Sequence, residues 1–442
     1  MELGRSALHT WTIYVKGAEV TNKAPFVVIV GGGFGGLAAA KALRRAPVNV
    51  LLIDRSNHHV FQPLLYQVAT SVLAPGQIAS PIRGLLADQK NASVMLGNVT
   101  GIDPVTQHVI VDVDNKKEIR VAYDYLVLAT GATHSYFGHD EFARFAPGLK
   151  SLADAESLRN HILMAFENAE LEEDPERRKA LMTFIMVGAG PTGVEMASAI
   201  AVMVRTTLRK NFRRIDTKSA HIVLVDMGKR PLGTFAEELS ETARQRLLQL
   251  GVDVRLGKAV QSIDADGAVV GDERIPSKTV IWTAGVAPSP AGKWLGCEVD
   301  RAGRVRIRQD LTVQDHPEIF VIGDTASLDQ DGRPLPGVAQ VAMQQGRYAA
   351  KSIFRQVTQK PQRPPFRYFD KGNLAVVGKN FAVLQSGRVT MSGFFAWLVW
   401  ALIHIQFLGE SSLRFSVFFQ WAWTYISAKR GDRLIIEPRK ST

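Results

Sequence analysis

The sequence has too little cysteine for thiol-based redox chemistry. Its 442 residues include one cysteine, Cys297, which can form no disulfide within the chain. We interpret it as a small, partly buried residue. Enzymes that reduce disulfides or oxidise sulfide use a redox-active cysteine pair, so the single cysteine excludes both classes. We predict no metal site either.

The first 25 residues lack the features of a targeting segment. They contain no long apolar core and little arginine, so we predict neither a signal peptide nor a transit peptide there. We interpret 1–25 as a tail or an additional first strand.

Acidic residues are outnumbered by basic ones, 42 Asp and Glu against 53 Lys and Arg, which gives a net charge of +11 at pH 7. A basic nucleic-acid-binding helix, zinc-ligand spacing and an aromatic RNA-binding signature are all lacking. We therefore expect no nucleic-acid partner and an anionic membrane surface instead.

A glycine-rich motif follows the first strongly apolar segment. Phe26–Val30 is a β-branched run typical of a parallel strand buried on both faces, and Gly31-Gly32-Gly33-Phe34-Gly35-Gly36 follows it directly. In such motifs Gly31 permits a tight turn, Gly33 lets the backbone approach a pyrophosphate, and Gly36 lets the next helix pack against the strand. The motif therefore predicts a dinucleotide site at the start of the following helix.

The segment after this motif completes a nucleotide-binding unit. We predict a helix over Leu37–Arg45, whose N-terminal amides and dipole face the pyrophosphate, and a strand over Val48–Ile53. Asp54 ends that strand 18 residues after Gly36, near the spacing at which a carboxylate accepts the ribose hydroxyls. A glycine-rich turn without a ligand is the alternative, and the order of strand, helix, strand and acid favours binding.

A second motif of the same kind lies about one domain further along the chain. Phe184–Val187 is again a predicted strand, followed by Gly188-Ala189-Gly190-Pro191-Thr192-Gly193 and a predicted helix from about Val194 to Leu208. The predicted strand Ile222–Val225 then ends at Asp226. Two dinucleotide sites in one chain indicate two redox cofactors and electron transfer between them.

Asp226 lies 33 residues after Gly193, a gap longer than usual that the basic stretch Arg205–Lys218 accounts for as a helix extension or a loop. As the ribose acid of the second site, it accepts two hydroxyls of NADH and repels the extra phosphate of NADPH. Lys229 and Arg230 follow closely and can bind a phosphate. NADH is therefore favoured, while NADPH and a simple solvated turn stay open.

Two later segments indicate which nucleotide the first site binds. Tyr125–Ala132 is a predicted strand that runs into a small-residue turn, and Glu318–Asp324 is a predicted strand that ends in glycine and aspartate. With the first motif they resemble the flavoproteins that have two dinucleotide-binding domains, in which the counterpart of Asp324 holds the ribityl chain of FAD. The resemblance assigns NADH to the second site and FAD to the first, with contacts that include Phe34, Thr130, Gly131 and Asp324.

Glu195 lies in the first turn of the helix after the second motif. The helix dipole stabilises a carboxylate there by about 0.3–1 kcal/mol whether or not it has a function. A functional interpretation places Glu195 near the nicotinamide and flavin rings, at the cofactor interface, and its position alone favours neither. We also assign Gly285 to the NADH site.

Three further segments go beyond this superfamily: His58–Thr70, Ala339–Gly346 and Phe369–Lys379. In combination they resemble type II NADH dehydrogenase, the single-subunit NADH:quinone oxidoreductase, and the resemblance runs from about Phe26 to Leu434. The glutamine-containing segment Ala339–Gly346 is the most specific of the three. The resemblance implies bound FAD, NADH as the substrate and a quinone as the acceptor.

The resemblance makes Gln340 and Gln344 the candidates that line the quinone site beside the flavin. Their i, i+4 spacing places both on one helix face, and an uncharged amide can donate to a quinone carbonyl. Lys371, in an Asp-Lys-Gly turn, is a further candidate. His404 is a candidate proton donor near the quinone, although a lone histidine in an apolar segment is more often structural.

The segment Phe394–Ser427 is rich in aromatic residues, 11 of 34, against 8% in the whole chain. Its first run, Phe394–Leu408, spans about 22 Å as a helix, short of the ~30 Å hydrocarbon core of a bilayer. Gly409–Ser412 separates it from a second run, Leu413–Ser427. Tryptophans and flanking basic residues favour two amphipathic helices lying in the membrane interface, with a dimer interface or a soluble core helix as the alternatives.

The sequence thus predicts an α/β fold of two Rossmann-like domains with a C-terminal amphipathic membrane-docking region. We predict a discontinuous FAD domain at 26–150 and 302–361, an NADH-binding domain at 151–301, and a membrane-docking and quinone-access region at 362–442. NADH passes a hydride to FAD, and two electrons then reduce a membrane quinone. Because no run is long enough to span the bilayer, we predict a non-electrogenic reaction.

We expect a peripheral, monotopic homodimer on the cytoplasmic face of the bacterial inner membrane. Two alternatives stay open: a soluble NAD(P)H reductase of a small electron-carrier protein, which needs no aromatic C-terminal pair, and a nucleotide-sensing flavoprotein. In the second alternative, Gln340 and Gln344 have no role. Ubiquinone and menaquinone are equally compatible with the sequence.

Overall fold

The fold is that of a computed structural model, which describes residues 24–113, 117–427 and 431–436. The predicted tail 1–25 lies, apart from its last two residues, outside the described part of the chain. Contacts divide the described residues into two compact units. Unit 1 comprises 24–59, 80–133 and 287–369, and unit 2 comprises 60–79, 134–286 and the residues from 370 onwards.

The predicted domain boundaries differ from the limits of these units. The predicted boundaries follow residues 150, 301 and 361, whereas the corresponding changes between the units follow 133, 286 and 369. The segment 60–79, which interrupts the first nucleotide-binding unit in sequence, belongs with unit 2. Sequence motifs mark strands and turns, but they do not indicate the unit against which a connecting segment packs. The functional domain limits stay a prediction.

Unit 1 is built on a six-stranded sheet, parallel except for its first, antiparallel edge strand. In spatial order its strands are Thr312–Val313, His316–Val321, Tyr125–Leu128, Phe26–Val30, Asn49–Asp54 and Ala92–Leu96. The side chains of alternate residues of the strand Phe26–Val30 pack in different hydrophobic cores. Val27 and Ile29 pack in one cluster, and Val28 and Val30 pack in another. A strand buried on both faces needs an apolar residue at every position, which confirms the prediction from the continuous run Phe26–Val30.

Unit 1 also carries smaller elements. A three-stranded antiparallel sheet comprises Asn98–Asp103, His108–Val113 and Lys117–Ala122. Two short strand pairs join Val305–Arg306 to Ala326–Ser327 and Asp329–Gln330 to Arg333–Pro334. Further short strands, at chain positions where the units change over, are His58–Val60, Ala79–Pro81, Ala132–His134 and Val286–Pro288.

Unit 2 contains a second parallel sheet. Its four strands, in spatial order, are Val252–Leu256, His221–Asp226, Thr183–Val187 and Thr279–Trp282. Two three-stranded antiparallel sheets accompany it. One comprises Val260–Asp264, Gly267–Val270 and Glu273–Pro276, and the other Asn373–Val376, Ala382–Ser386 and Val389–Gly393. The two parallel sheets, each joined to a helix by a glycine motif, confirm the predicted α/β fold with two Rossmann-like domains.

The α-helices of the described residues are, in chain order, α1 Phe34–Ala42, α2 Leu65–Ala69, α3 Ile82–Leu85, α4 Leu152–Leu171, α5 Pro175–Leu181, α6 Pro191–Val202, α7 Glu237–Gln249, α8 Ala291–Leu295, α9 Ala339–Val357, α10 Phe394–Phe407 and α11 Ser411–Ser427. Helix α1 begins three residues earlier than predicted because Gly35 and Gly36 lie inside its first turn. A π-helical turn, Met203–Thr207, follows α6. Across the described residues, no helix is both long and apolar enough to cross a membrane.

Candidate active site

The first glycine motif forms a turn in unit 1 that requires glycine at two positions. Gly31 has a φ of +102°, and a Cβ there would lie 2.3 Å from Ala129 O. A Cβ on Gly36 would lie 1.8 Å from Gly31 O. By contrast, no described atom lies within 4 Å of the place that a Cβ on Gly33 would take. The turn is therefore closed against the sheet and open at Gly33, as the approach of a pyrophosphate requires.

Asp54, at the end of its strand, accepts hydrogen bonds from one backbone amide of this turn and from one that follows Asp54 in sequence. Its Oδ2 accepts a hydrogen bond from the Gly32 amide at 2.5 Å, and its Oδ1 accepts one from the Ser56 amide at 2.6 Å. Each carboxylate oxygen has two lone pairs, so acceptor capacity remains for ribose hydroxyls. This geometry fits the predicted ribose-binding role.

The other predicted FAD residues lie at the same edge of the six-stranded sheet. Thr130 and Gly131 follow the strand Tyr125–Leu128, and Asp324 follows its parallel neighbour His316–Val321. Thr325 Oγ1 lies 3.1 Å from Thr130 Oγ1 and donates to Gly131 O at 3.1 Å. Ligands of open α/β sheets bind outside the carboxyl ends of the strands, so the site is placed where a dinucleotide belongs.

Two residues that the sequence analysis did not single out support this edge. Gln345, only 1% exposed, accepts the Gly323 amide on Oε1 at 2.7 Å. The Nδ1 of buried His59 donates to Gly32 O at 2.9 Å, and burial lowers the pKa of this imidazole. Both lie inside the signature segments His58–Thr70 and Ala339–Gly346. The pattern of each segment signalled importance, but it did not indicate which side chains would point inward.

The second glycine motif repeats the geometry of the first in unit 2. Gly188 has a φ of +109°, and a Cβ there would lie 2.7 Å from Ala284 N. A Cβ on Gly193 would lie 1.8 Å from Gly188 O, while no described atom lies within 4 Å of a Cβ on Gly190. The turn is again closed against its sheet and open towards a ligand.

Asp226 matches Asp54 in its contacts. Its Oδ2 accepts the Ala189 amide at 2.5 Å, and its Oδ1 accepts the Gly228 amide at 2.6 Å. The long gap between Gly193 and Asp226 therefore does not displace the acid from the turn. The basic stretch forms the π-helical turn and a loop, outside the sheet, as the sequence analysis expected.

Gly285 follows the last strand of the same parallel sheet, Thr279–Trp282. Its φ is +70°, and a Cβ there would lie 2.3 Å from Phe137 Cζ. The positive φ favours glycine at this position, whereas the exposed Phe137 ring could move aside. The residue thus lies beyond the carboxyl end of the sheet, where the NADH assignment predicts it.

Glu195 is the fifth residue of α6, past the first turn in which it was predicted, because the helix begins at Pro191, inside the glycine motif. Its environment favours the neutral form of the side chain. Desolvation raises the pKa of Glu195 to about 8, and the Val376 amide, which donates to its Oε1 at 3.3 Å, acts in the opposite direction without cancelling the shift. A helix N-terminus alone would lower the pKa of a carboxyl. The burial therefore decides the protonation state, and Glu195 carries a proton at neutral pH.

Gln340 and Gln344 both lie in α9 of unit 1, and the side-chain amide of Gln344 makes two hydrogen bonds to the backbone of one residue. Its Nε2 donates to Phe369 O at 2.9 Å, and its Oε1 accepts the Phe369 amide at 3.0 Å. The side chain thus fastens the segment that leads to the Asp-Lys-Gly turn. Gln344 therefore positions a neighbouring backbone, a role that the spacing of the two glutamines did not indicate.

Lys371 and His404 lie in unit 2, Lys371 beside α10 and His404 within it. The ammonium of exposed Lys371 lies 6.0 Å from the centre of the Phe407 ring. The Nδ1 of His404 donates to Trp400 O at 2.7 Å, and the imidazole stacks on the Trp400 ring at 4.3 Å. Desolvation lowers the pKa of His404 to about 4. The neutral imidazole offers only the acceptor Nε2, which disfavours the predicted role of proton donor.

Comparisons with known proteins agree with this arrangement. Residues 25–346 match the pyridine nucleotide-disulphide oxidoreductase family. The type II NADH:quinone oxidoreductase Ndh of Mycobacterium tuberculosis is 44% identical over 422 residues, which cover 93% of this chain and 90% of that protein. The chain belongs to the type II NADH:quinone oxidoreductases. A type II NADH:quinone oxidoreductase of Haemophilus influenzae is 29% identical over 86% of this chain and 92% of its own length.

Solved structures of other proteins share the fold of this member of the type II family. The structure of NDH2 from Plasmodium falciparum in complex with NADH matches it with a TM-score of 0.85 at 20% identity, over 94% of this chain and all of that one. The sulfide:quinone oxidoreductase of Aquifex aeolicus matches with a TM-score of 0.70 at 18% identity, over 94% and 96% of the two chains. The single cysteine separates this family member from sulfide-oxidising chemistry.

The C-terminal helices of this family member expose an unusual amount of apolar surface. Among residues 394–424 of α10 and α11, whose side chains the structure describes, ten large apolar side chains are exposed, with Phe395 at 71% and Phe419 at 66%. The ten are Phe394, Phe395, Leu398, Leu402, Ile403, Phe407, Phe415, Phe418, Phe419 and Trp423. Contiguous exposed apolar patches of this kind mark interaction sites rather than free surface. We refer to these ten residues as the aromatic surface.

Proposed function

We propose that this chain oxidises NADH and reduces a membrane quinone through a bound FAD. The observation that carries the proposal is the pair of glycine turns. In each turn a Cβ would clash at two glycines and would have free space at a third, and an aspartate carboxylate accepts a hydrogen bond from a backbone amide of the turn. One site alone would suit a simple dehydrogenase. Two sites on two sheets suit a donor nucleotide and a resident flavin, and membership of the type II family supports this assignment.

The residues of unit 1 fit FAD. The open turn at Gly33 and the N-terminus of α1 offer amides to a pyrophosphate, Asp54 accepts from the adenosine ribose, and Asp324 accepts from the ribityl chain. Bound FAD supplies the chemistry that no side chain can: it accepts a hydride and passes on electrons one or two at a time. The chain binds, orients and shields this cofactor.

The residues of unit 2 fit NADH. The turn at Gly190 and the N-terminus of α6 receive the pyrophosphate, and Asp226 accepts the ribose hydroxyls. A carboxylate at this place repels the 2′-phosphate of NADPH, so we assign NADH as the preferred donor. Neutral Glu195 keeps negative charge away from the reacting rings and can donate a hydrogen bond to one of them.

Gln340 and Gln344 serve the quinone end of the reaction in different ways. Gln344 fastens Phe369 through two hydrogen bonds and so positions the segment before Lys371. Gln340, on the same helix face, offers the amide donor for a quinone carbonyl. Quinone reduction would consume two electrons, which bound FAD would supply, and two protons from water or side chains, and we propose that the reaction is non-electrogenic.

The aromatic surface docks the protein on the membrane in which the quinone dissolves. Its tryptophan and phenylalanine side chains suit the bilayer interface, and the net charge of +11 suits anionic lipids. The proposed location is peripheral, on the cytoplasmic face of a bacterial inner membrane. We also propose a homodimer, in which part of the exposed apolar surface of one protomer meets its partner.

Quinone turnover in the presence and absence of liposomes tests this proposal against a soluble reductase. We expect NADH oxidation with ubiquinone in anionic liposomes, and flotation of the protein with them. The double variant Phe395→Ser, Phe419→Ser should float less and should lose activity with liposome-bound quinone. Leu171→Ser, at a 72% exposed position of α4, is the matched control. A wild-type protein that does not float would favour the soluble reductase, and equally strong flotation of all three proteins would contradict docking through the aromatic surface.

A further inference from the structure

Phe137, in unit 2, holds a large apolar ring in solvent. It is 61% exposed, whereas its neighbour Tyr136 is only 8% exposed. The φ of Phe137 is +54°, in the left-handed region that a bulky residue rarely adopts. Backbone strain of this kind persists only where the surrounding structure holds it, and it is concentrated at ligand-binding and active sites. Strain and exposure at the same apolar residue together indicate a binding role.

The residues next to Phe137 fix the position of its backbone. Trp282 Nε1 donates to Ser135 O at 2.8 Å, and the Tyr136 hydroxyl donates to Ala146 O at 2.9 Å. The rings of Tyr136 and Trp282 pack with their centres 4.9 Å apart. The ring centre of Phe137 lies farther from that of Trp282, at 6.3 Å. The neighbours thus anchor the segment, while the Phe137 ring stays exposed.

Phe137 lies beside the strand Thr279–Trp282, which is an edge strand of the four-stranded parallel sheet. A Cβ on Gly285, just beyond the carboxyl end of this strand, would lie 2.3 Å from Phe137 Cζ. The ring therefore occupies the space that the missing side chain leaves. The Trp282 amide donates to Pro147 O at 3.0 Å on the outer side of the strand. The segment with Phe137 thus covers the sheet edge on the side away from the second glycine motif.

The order of the strands sets the course of a dinucleotide across this sheet. Asp226, the second glycine motif and Gly285 follow three successive strands, and neighbouring strands lie about 4.8 Å apart. With the adenosine ribose at Asp226 and the pyrophosphate at the glycine turn, the other half of the dinucleotide continues towards Gly285. Phe137 lies past Gly285 in the same direction. Its ring is therefore at the nicotinamide end of the site.

We propose that the ring of Phe137 packs against the nicotinamide ring of the bound donor and completes the NADH site. Flat rings pack well in offset-stacked or edge-to-face contacts, and the contact removes the exposed Phe137 ring from water. The inference rests on the proposed NADH site. It adds the residue that recognises the reacting end of the dinucleotide, whereas Asp226 recognises the adenosine end.

Binding of NAD⁺ and of ADP-ribose to the oxidised, FAD-loaded protein tests this proposal without turnover. ADP-ribose keeps both riboses and the pyrophosphate but lacks the nicotinamide ring. Ligand-observed NMR measures the affinity for each compound. We expect Phe137→Ala to weaken NAD⁺ binding about tenfold, because a ring contact is lost, and to leave ADP-ribose binding unchanged. Phe137→Tyr keeps the ring and should bind both compounds like the wild type.

Two further variants keep the result interpretable. Leu171→Ala removes an apolar side chain at a 72% exposed position of α4, elsewhere in unit 2, and should bind both compounds like the wild type. Phe137→Gly removes the ring without a risk to folding, because glycine adopts a positive φ without strain. It should lose affinity for NAD⁺ as Phe137→Ala does. The bound-flavin spectrum reports whether each variant is folded.

The possible results separate a failure of this inference from a failure of the proposed function. Unchanged NAD⁺ affinity in Phe137→Ala and Phe137→Gly would overturn the inference alone. An equal loss of affinity for NAD⁺ and ADP-ribose would also overturn it, because the ring would then act away from the nicotinamide. A wild-type protein that binds neither compound would overturn the proposed NADH site together with the role of Phe137.

Discussion

Replacing Glu195 by glutamine should remove a pH dependence from the stability of unit 2. Burial raises the pKa of Glu195 to about 8 from an ordinary value of 4.5. Between these pH values the folded protein keeps a proton that the unfolded chain releases. The contribution of Glu195 to the stability of the wild type is therefore fully present below pH 4.5, and this contribution is lost progressively as the pH rises to about 8.

The size of this effect follows from the interval between the two pKa values. One pKa unit corresponds to about 1.4 kcal/mol, so the full interval corresponds to about 5 kcal/mol. Because the side chain of Glu195 retains some solvent contact, we expect less than this full value. The free energy of unfolding of Glu195→Gln should exceed that of the wild type by about 2–5 kcal/mol at pH 8.5 and by little at pH 5. Glutamine keeps the shape of the neutral acid and carries no charge at either pH.

Urea unfolding at a series of pH values measures this difference, with Glu238→Gln as the control at an exposed position of α7. The stability gap between Glu195→Gln and the wild type should open as the pH rises from 5 to 8.5. Glu238→Gln should follow the wild type throughout. Parallel pH profiles for Glu195→Gln and the wild type would show that the carboxyl is ionised in the folded protein, and our assignment of a neutral Glu195 would be wrong.

Three further substitutions test the sites. Gly36→Ala should purify with little FAD, because the added Cβ would lie 1.8 Å from Gly31 O. Gly233→Ala is the control and should retain FAD, because no described atom lies within 4 Å of the Cβ that it adds. Asp226→Ala should raise the ratio of NADPH to NADH activity about tenfold, because it removes the charge that repels the 2′-phosphate. An unchanged ratio would contradict the assignment of Asp226 to the NADH site. Gln344→Ala should weaken quinone turnover and spare flavin reduction by NADH, with Gln356→Ala on the same helix as the control; slower flavin reduction would place the glutamine elsewhere in the cycle.

Sequence patterns predicted the two glycine turns and the aspartates beside them because the physics of these turns is local, while the nucleotides that they bind stay a prediction. The continuous run Phe26–Val30 is buried on both faces of a sheet, and a Cβ on Gly31 or Gly36, which follow it, would clash with backbone atoms. Asp54 and Asp226 take equivalent places although their spacings from the glycines differ, because each simply ends the next strand of its sheet. Strand order and turn chemistry are therefore sufficient to predict these positions.

Other parts of the site depend on contacts between segments far apart in sequence. Gln344 bonds to Phe369, and Gln345 bonds to Gly323, so neighbouring glutamines on one helix have unrelated partners. The raised pKa of Glu195 arises from burial, whereas its place at a helix N-terminus predicted the opposite shift. The neutral state of His404 follows from the same cause. Periodicity identifies a helix face, but it does not reveal what that face meets.

Flavin absorbance during anaerobic addition of NADH, followed by a soluble quinone, tests the central claim most directly. We predict rapid bleaching of the bound flavin by NADH and full recovery of its absorbance when the quinone is added. Bleaching without recovery would contradict quinone reduction and would favour a protein electron acceptor. A flavin that NADH does not bleach would contradict the assignment of the second glycine motif as the NADH site.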